Sequence, residues 1–331
     1  MPEPHFMHVM YYFIFWGYFF ATLAYLSLIF NQNLTLVRVG KGLLVATLLL
    51  YSIFIVFRVI ADHAYVHFWY APVANIFEEA TALAWGLALV YLVAETVFNF
   101  PALGVFVNPL LTALVGWCAF GTGVMDQSLE QPPPALQSYW IDIHVPTHVI
   151  AYSAFTIAFG MAIAYFIKKK EEARLGLAKG FSQPIPEGNA SNLSGGGVAV
   201  MERTSTQRST KTAPVSKGFY ALLPSTEVLD KMMYKMIVVG FGFMTALIML
   251  GATWAEVSWG TYWGWDPKET SALITWLIYA FYLHGRILLG WGTKKRDLCA
   301  ILSIVGFAAL MFTYLGVGFL LPGLHSYLKS S

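Results

Sequence analysis

Charge is what this chain has least of. Asp, Glu, Lys and Arg make up 11% of its 331 residues, less than half of the roughly 25% usual in soluble domains, which excludes an ordinary water-exposed fold. Cysteine is scarce as well: Cys118 and Cys299 lie far apart, each inside an apolar segment, and no C-x-x-C occurs. That placement suits buried, inert thiols, so neither a disulfide framework nor a cysteine metal site is expected. A basic start followed by an A-x-A-like cleavage site is also missing, and the first apolar run is therefore expected to be a genuine span. No nucleic-acid partner is expected of a chain whose net charge is only +2.

What is abundant is apolar surface: 57% of residues are hydrophobic and 16% aromatic, and mean hydropathy is +0.61. The apolar runs are mostly near twenty residues long, about what a helix needs to cross ~30 Å of hydrocarbon. They lack the alternation of a membrane barrel. The expected fold is all-α: a polytopic protein of the lipid bilayer with about eight transmembrane helices. These spans are expected over roughly 11–30, 41–60, 74–97, 102–123, 147–167, 235–256, 268–290 and 299–321.

On this scheme the loops alternate sides, and of the 20 Lys and Arg all but Arg58, Lys268 and Lys329 fall on one of them. The positive-inside rule makes that side the cytoplasm. Residues 171–231 form a long cytoplasmic loop, rich in Ser, Thr, Gly and Asn and too poor in apolar residues to build a core. It is expected to be a flexible connector between a five-span part, 1–170, and a three-span part, 232–331.

The densest chemistry lies on the opposite, outer side. Residues 254–269 read W-A-E-V-S-W-G-T-Y-W-G-W-D-P-K-E, with four tryptophans and a tyrosine in sixteen residues. Tryptophan is enriched at membrane interfaces in any case. The D-P-K-E end has a local explanation too: Asp266, Pro267 and Glu269 suit the N-cap, first and third positions of the next helix. Four tryptophans spaced W-x4-W-x3-W-x-W directly before that cap have no such local explanation. An aromatic shelf of this kind suits a flat, apolar ligand with a charged edge.

Of the eight histidines, His5 and His8 carry no pattern. His144, ahead of the fifth span, and His325, after Pro322 and Gly323 at the end of the eighth, both emerge on the outer side. Packed together over the tryptophans, they suit bis-imidazole ligation of a haem; apart, they are interfacial histidines. His284 lies in the seventh span, seventeen residues after Pro267, or about 25 Å of helix at ~1.5 Å per residue. It is thus near the cytoplasmic interface, where it suits snorkelling to headgroups and equally an axial ligand. His148 follows His144 by four residues, but Pro146 intervenes and no third ligand completes a zinc set. His63 and His67 repeat the spacing among outer-loop aromatics and read equally as amphipathic interface residues. Glu78 and Glu79 suit the helix dipole at the start of the third span, where Asn75 is a sufficient cap. Glu95, nearer the cytoplasmic end, has no role assignable from sequence.

The run W-G-T-Y-W-G-W-D-P-K-E-T-S-A-L-I-T-W-L-I-Y-A-F-Y-L-H-G-R resembles the tryptophan-rich (WWD) signature of haem-handling proteins. In particular it is similar to the CcsA (ResC) subunit family of the System II cytochrome c synthase. The likeness extends from about Ala71 to Tyr327 through A-P-V-A-N-I-F-E-E, L-Q-S-Y-W-I-D-I-H-V and G-L-H-S-Y.

The resemblance implies that haem b moves from the cytoplasm to the outer face and is presented there to apocytochrome c. Thioether bonds then join its vinyl groups to a Cys-x-x-Cys-His motif. It implies His144 and His325 as outer axial ligands, His284 as a transmembrane ligand, and Trp254, Trp259, Trp263, Trp265 and Asp266 as the haem platform. The partner would be CcsB (ResB), which supplies the remaining transmembrane ligand, in a bacterial inner or thylakoid membrane. No catalytic acid or base is expected in this chain; positioning of haem and thiols would carry the reaction. A haem exporter without a ligation role and a structural subunit of a respiratory complex are the competing readings.

Overall fold

The computed structural model describes residues 5–66, 75–121, 125, 127–129, 134–176 and 216–323. Among them the regular structure is helical throughout. The helices are α1 (His5–Leu26), α2 (Leu34–Val66), α3 (Ile76–Phe98), α4 (Gly104–Phe120), α5 (Tyr139–Arg174), the short α6 (Phe219–Leu222), α7 (Thr226–Trp259) and α8 (Pro267–Leu288). The short α9 (Trp291–Lys294) leads to α10 (Arg296–Met311), which passes through a π-helical turn, Phe312–Gly316, into α11 (Val317–Leu320). Among the described residues eight stretches are long and apolar enough to cross a membrane, so the chain is an integral membrane protein of the architecture its sequence predicts.

Several helices outrun the apolar runs that define them. α5 has 36 residues and α7 has 34, or about 50 Å each, against ~30 Å of hydrocarbon. Their ends are capped by polar side chains beyond the apolar run: Ser138 accepts from Trp140 N, and Ser225 from Val228 N. Pro146 does not end α5, which continues through it. Thr147 Oγ1 donates to the carbonyl of His144 at 2.6 Å, and the two histidines four residues apart therefore ride on one helix.

α5 is the central element, packed against α3, α4, α7 and α10. Its interior face is built from small residues, Ala151, Ala154, Ala158 and Ala162, all fully buried, which let neighbouring backbones approach where hydrocarbon supplies no hydrophobic drive between helices. Aromatic stacking fills the rest: Phe155 lies on Tyr279 of α8 at 3.7 Å between ring centres, and Phe159 on Phe307 of α10 at 4.2 Å. Cys118 and Cys299 are buried free thiols.

α5 and α7 run antiparallel, and this separates two ends of the bundle. At the basic end Lys168 Nζ donates to the Tyr220 carbonyl at 2.8 Å, and Thr226 Oγ1 to Glu172 at 2.8 Å. At the other, hereafter the tryptophan end, His144 meets Trp254. Two of the three cations that break the charge rule sit at the tryptophan end, and both face the first turn of α3. Arg58 is 2% exposed and grips Glu78 Oε1 through Nε at 2.9 Å and Nη2 at 2.6 Å. Lys268 lies 3.7 Å from Glu79. Asn75 caps α3 by accepting from Glu78 N at 2.9 Å, as expected, and this frees both carboxylates for those cations.

Candidate functional site

At the tryptophan end, α5 and α7 bring together an imidazole and two indoles distant in sequence. The His144 ring lies over Trp254, ring centres 6.3 Å apart and planes 27° from parallel. Trp254 meets Trp259 edge-on at 4.7 Å, and Ile141, Trp140, Val145 and Leu136 complete the apolar wall. Space for the imidazole comes from Gly251, one turn before Trp254: a Cβ there would stand 2.9 Å from His144 Cε1. Of the chemical partners, Trp140 and Gly251 were not singled out from sequence. Their signal was present as helical spacing, with Trp140 four residues before His144 and Gly251 three before Trp254, but its meaning depends on α5 meeting α7.

The tryptophans do not form one uniform shelf. Trp254 is 6% exposed and acts as a wall behind His144, whereas Trp265 is 70% exposed. Between them α7 stops at Gly260, whose φ of 74° is the left-handed conformation that glycine adopts freely. Trp265 also has a left-handed backbone, φ 57°, which costs a non-glycine residue about 1 kcal/mol. Glu269 holds it there: one carboxylate oxygen accepts from Gly264 N at 2.9 Å and Asp266 N at 3.2 Å, the amides on either side of Trp265. Asp266 in turn accepts from Lys268 N at 2.9 Å and from the backbone N–H of Glu269, the latter completing the capping box. Asp266 is thus a buried cap, while Trp263 and Trp265 stand edge to face at 5.8 Å on the loop it closes.

His325 lies outside the described residues, but the chain leading to it is placed. A Cβ on Gly323 would come within 2.5 Å of Asp266 Oδ2 and 3.1 Å of Pro267 Cδ. Gly323, the last described residue before it, thus packs against the cap of α8. His148 is buried against Tyr152 at 4.1 Å and Tyr314 at 5.9 Å between ring centres, the surroundings of a packed core histidine. His63 is half-buried near the end of α2, and His67 falls outside the described residues.

His284 is at the opposite end, on an exposed face of α8 shared with Leu277, Phe281 and Leu288. Its Nδ1 is 2.8 Å from the Ala280 carbonyl. A carbonyl can only accept, so Nδ1 carries the proton and Nε2 keeps the lone pair that a metal requires. Two residues on, Arg286 forms a bidentate pair with Asp230 of α7 at 2.5 and 2.6 Å, with Tyr234 4.7 Å beneath the guanidinium.

These residues fit haem. Iron asks for neutral imidazole nitrogens, the porphyrin faces ask for aromatic walls, and the buried Trp263 Nε1, with no hydrogen-bond partner among the described residues, is a donor available to a polar edge.

A protein-family model described as cytochrome c assembly protein matches residues 73–325, and the chain belongs to that family. Among the relatives, it is 37% identical over 270 residues to the "Cytochrome c biogenesis protein CcsA" of Synechococcus sp. (strain JA-3-3Ab), covering 78% of each chain. To the protein so named in Synechocystis sp. (strain PCC 6803) it is 35% identical over 278 residues, covering 78% of this chain and 80% of the relative. Among solved structures, "Cytochrome c Heme Lyase CcmF" superposes with a TM-score of 0.58 at 14% identity, over 93% of this chain and 46% of that one, a likeness of fold. The chain's role is therefore in cytochrome c biogenesis.

Proposed function

We propose that the chain is the haem-delivery subunit of the synthase: it takes haem b from the cytoplasm at the basic end, exports it, and presents it at the tryptophan end to the Cys-x-x-Cys-His thiols of apocytochrome c. The observation that carries this reading is His144 packed against Trp254 and Gly251, with Gly323 packed against Asp266. His144 and His325 are then the axial pair, which requires their nitrogens about 4 Å apart across one iron. Trp254, Trp259, Trp263 and Trp265 form the haem platform, and Asp266 locks its loop. Of the four, Trp254 backs the ligand and Trp265 is the face open to the porphyrin.

His284 is the transmembrane ligand. Its exposed setting suits a haem shared with a ligand from a second membrane chain, the CcsB (ResB) partner. The charge bias of the loops supports a tryptophan end on the periplasmic, extracellular or lumenal face of a bacterial inner or thylakoid membrane. The five-span and three-span parts, joined by residues 171–231, act as one unit through α5 and α7. At the platform the chain's own contribution is orientation: two imidazoles fix the iron, and stacking fixes the plane, so that the vinyl groups meet the incoming thiols.

Co-expression with the CcsB partner and a c-type apocytochrome should yield covalent haem on the apocytochrome, detected by haem stain after denaturing electrophoresis. His144→Ala or His325→Ala should abolish it. Normal covalent product in both variants would overturn the ligand assignment. Haem bound to the complex without covalent product from the unaltered chain would favour an exporter, and no haem absorbance at all a structural subunit.

A further inference from the structure

The first four helices enclose a second set of polar side chains, which haem delivery leaves unused. Near the basic end, Glu95 of α3 is 4% exposed. One of its oxygens accepts from Tyr25 at 2.6 Å and Tyr91 at 2.5 Å, and the other lies 3.0 Å from Lys41 Nζ. Tyr25 and Tyr91 both abut Gly104 of α4. One turn along α4, Asn108 is 1% exposed, and its side-chain amide has no hydrogen-bond partner among the described residues.

From there the polar groups continue toward the tryptophan end. Thr22 and Thr112 share a 2.7 Å hydrogen bond in which one hydroxyl donates, and the other is left to donate to a backbone carbonyl, that of Asn108 at 3.2 Å for Thr22 or of Tyr18 at 3.3 Å for Thr112. The Tyr18 hydroxyl, buried and likewise without a partner among the described residues, belongs to a ring 6.1 Å from that of Tyr51. Tyr51 and Tyr11 share a 2.7 Å hydrogen bond, and Tyr11 lies 3.3 Å from Thr81. One turn beyond Thr81 on α3 is Glu78, in the grip of Arg58. From Glu95 to Glu78 is about 25 Å of helix, most of the hydrocarbon thickness.

Hydrogen bonds between membrane helices commonly serve as glue, and that accounts for Tyr11 with Tyr51 and Thr22 with Thr112. It does not account for the Asn108 amide or the Tyr18 hydroxyl, since a buried polar group with no protein partner is costly in hydrocarbon. An ionisable side chain buried in a membrane bundle with hydroxyl partners is also the usual signature of a proton relay.

We propose that this row is a gated proton path, with Glu95 as the acceptor at the basic end and the Arg58–Glu78 pair as the gate at the tryptophan end. A proton taken up by the Glu95 carboxylate is passed along as each oxygen accepts one proton and releases another. Only O–H bonds form and break, and one proton leaves at Glu78 for each that arrives at Glu95. Arg58 closes the far end by occupying the acceptor there: two of its N–H groups hold Glu78 Oε1, and that oxygen can take a proton only when they let go. Glu78, Asp62 at 3.4 Å and the carbonyls of Gln127 and Ser128 at 2.7 and 3.0 Å hold Arg58 there. The next residue, Glu79, pairs with Lys268 beside the Asp266 cap, so the gate and the aromatic platform share the first turn of α3. The path itself does not rest on the haem reading.

The test uses the full-length chain in phosphatidylcholine vesicles with trapped pyranine, potassium on both sides and valinomycin, after an external pH step. The unaltered chain should leak protons little faster than protein-free vesicles. Arg58→Gln should raise the rate by about tenfold or more, because the Glu78 carboxylate is then released, and Arg58→Met serves if the Gln variant does not incorporate. Adding Glu95→Gln or Tyr51→Phe to the opened variant should cut that rate at least about threefold. No rise in either Arg58 variant, or a leak that both second substitutions leave unchanged, would overturn the proposal.

Discussion

His144 and His284 are both imidazoles on long transmembrane helices, yet the fold treats them in opposite ways. His144 is clasped by its own chain, with an indole on one side and a glycine-made recess on the other. His284 has one nitrogen tied to the carbonyl a turn behind it and faces outward among exposed apolar side chains. On the proposed reading, His144 would be preorganised for cargo by packing, which limits how far the ring can wander, and His284 would be completed by a second chain covering its outward face. The surroundings differ in kind as well: the tryptophan end is built from ring stacking and a capping box, and the basic end from ion pairs.

The comparison is broken most severely by removing Asp230, because Arg286 is then left buried without its counter-charge. Asp230→Ala should cost about 3–5 kcal/mol, measured as a lower thermal midpoint in detergent, and should loosen the end of α8 that carries His284. Next in size, His144→Ala should reduce covalent haem on the apocytochrome by about 100-fold or more, beyond the loss expected for an outer-shell partner. His284→Ala should instead lower haem occupancy with little change in thermal midpoint, within about 0.5 kcal/mol, as for other exposed positions.

Gly251→Ala sharpens the comparison without touching a ligand. Its methyl meets the His144 ring, and overpacking of about 1–3 kcal/mol should displace the imidazole and reduce haem retention on the order of tenfold, read from Soret absorbance of the purified complex. The smallest effect is expected at Trp265. Trp265→Gly should relieve the left-handed strain and raise stability by about 1 kcal/mol while weakening haem retention, so that stability and function move in opposite directions.

How much of this was legible in the sequence depended on how local each cause was. The eight spans were legible because a run of apolar residues must be helical in hydrocarbon wherever it packs. Their ends were not, since Ser138 and Ser225 extend α5 and α7 past the apolar window. The D-P-K-E cap could be read directly, because every partner lies within three residues. Glu95 could not, since Tyr25 comes from another helix and Tyr91 is a partner only once α3 is folded. Arg58 stood out as an exception to the charge rule, but its reason, Glu78, is a tertiary one. The same holds for the tryptophans: their spacing marked a platform, and only the meeting of α5 with α7 separates Trp254 as wall from Trp265 as open face.

One further consequence follows from the π-helical turn at Phe312–Gly316. A single extra residue in a turn rotates everything after it by about 100° relative to an uninterrupted α-helix, so this turn works as a phase setting between α10 and the tail. α10 packs against α8 and α5 before the turn, and Gly323 meets Asp266 after it. The bearing at which the chain reaches Asp266 thus depends on a residue count as well as on side chains, and removing one residue from the turn should swing Gly323 away from Asp266 with every contacting side chain unchanged.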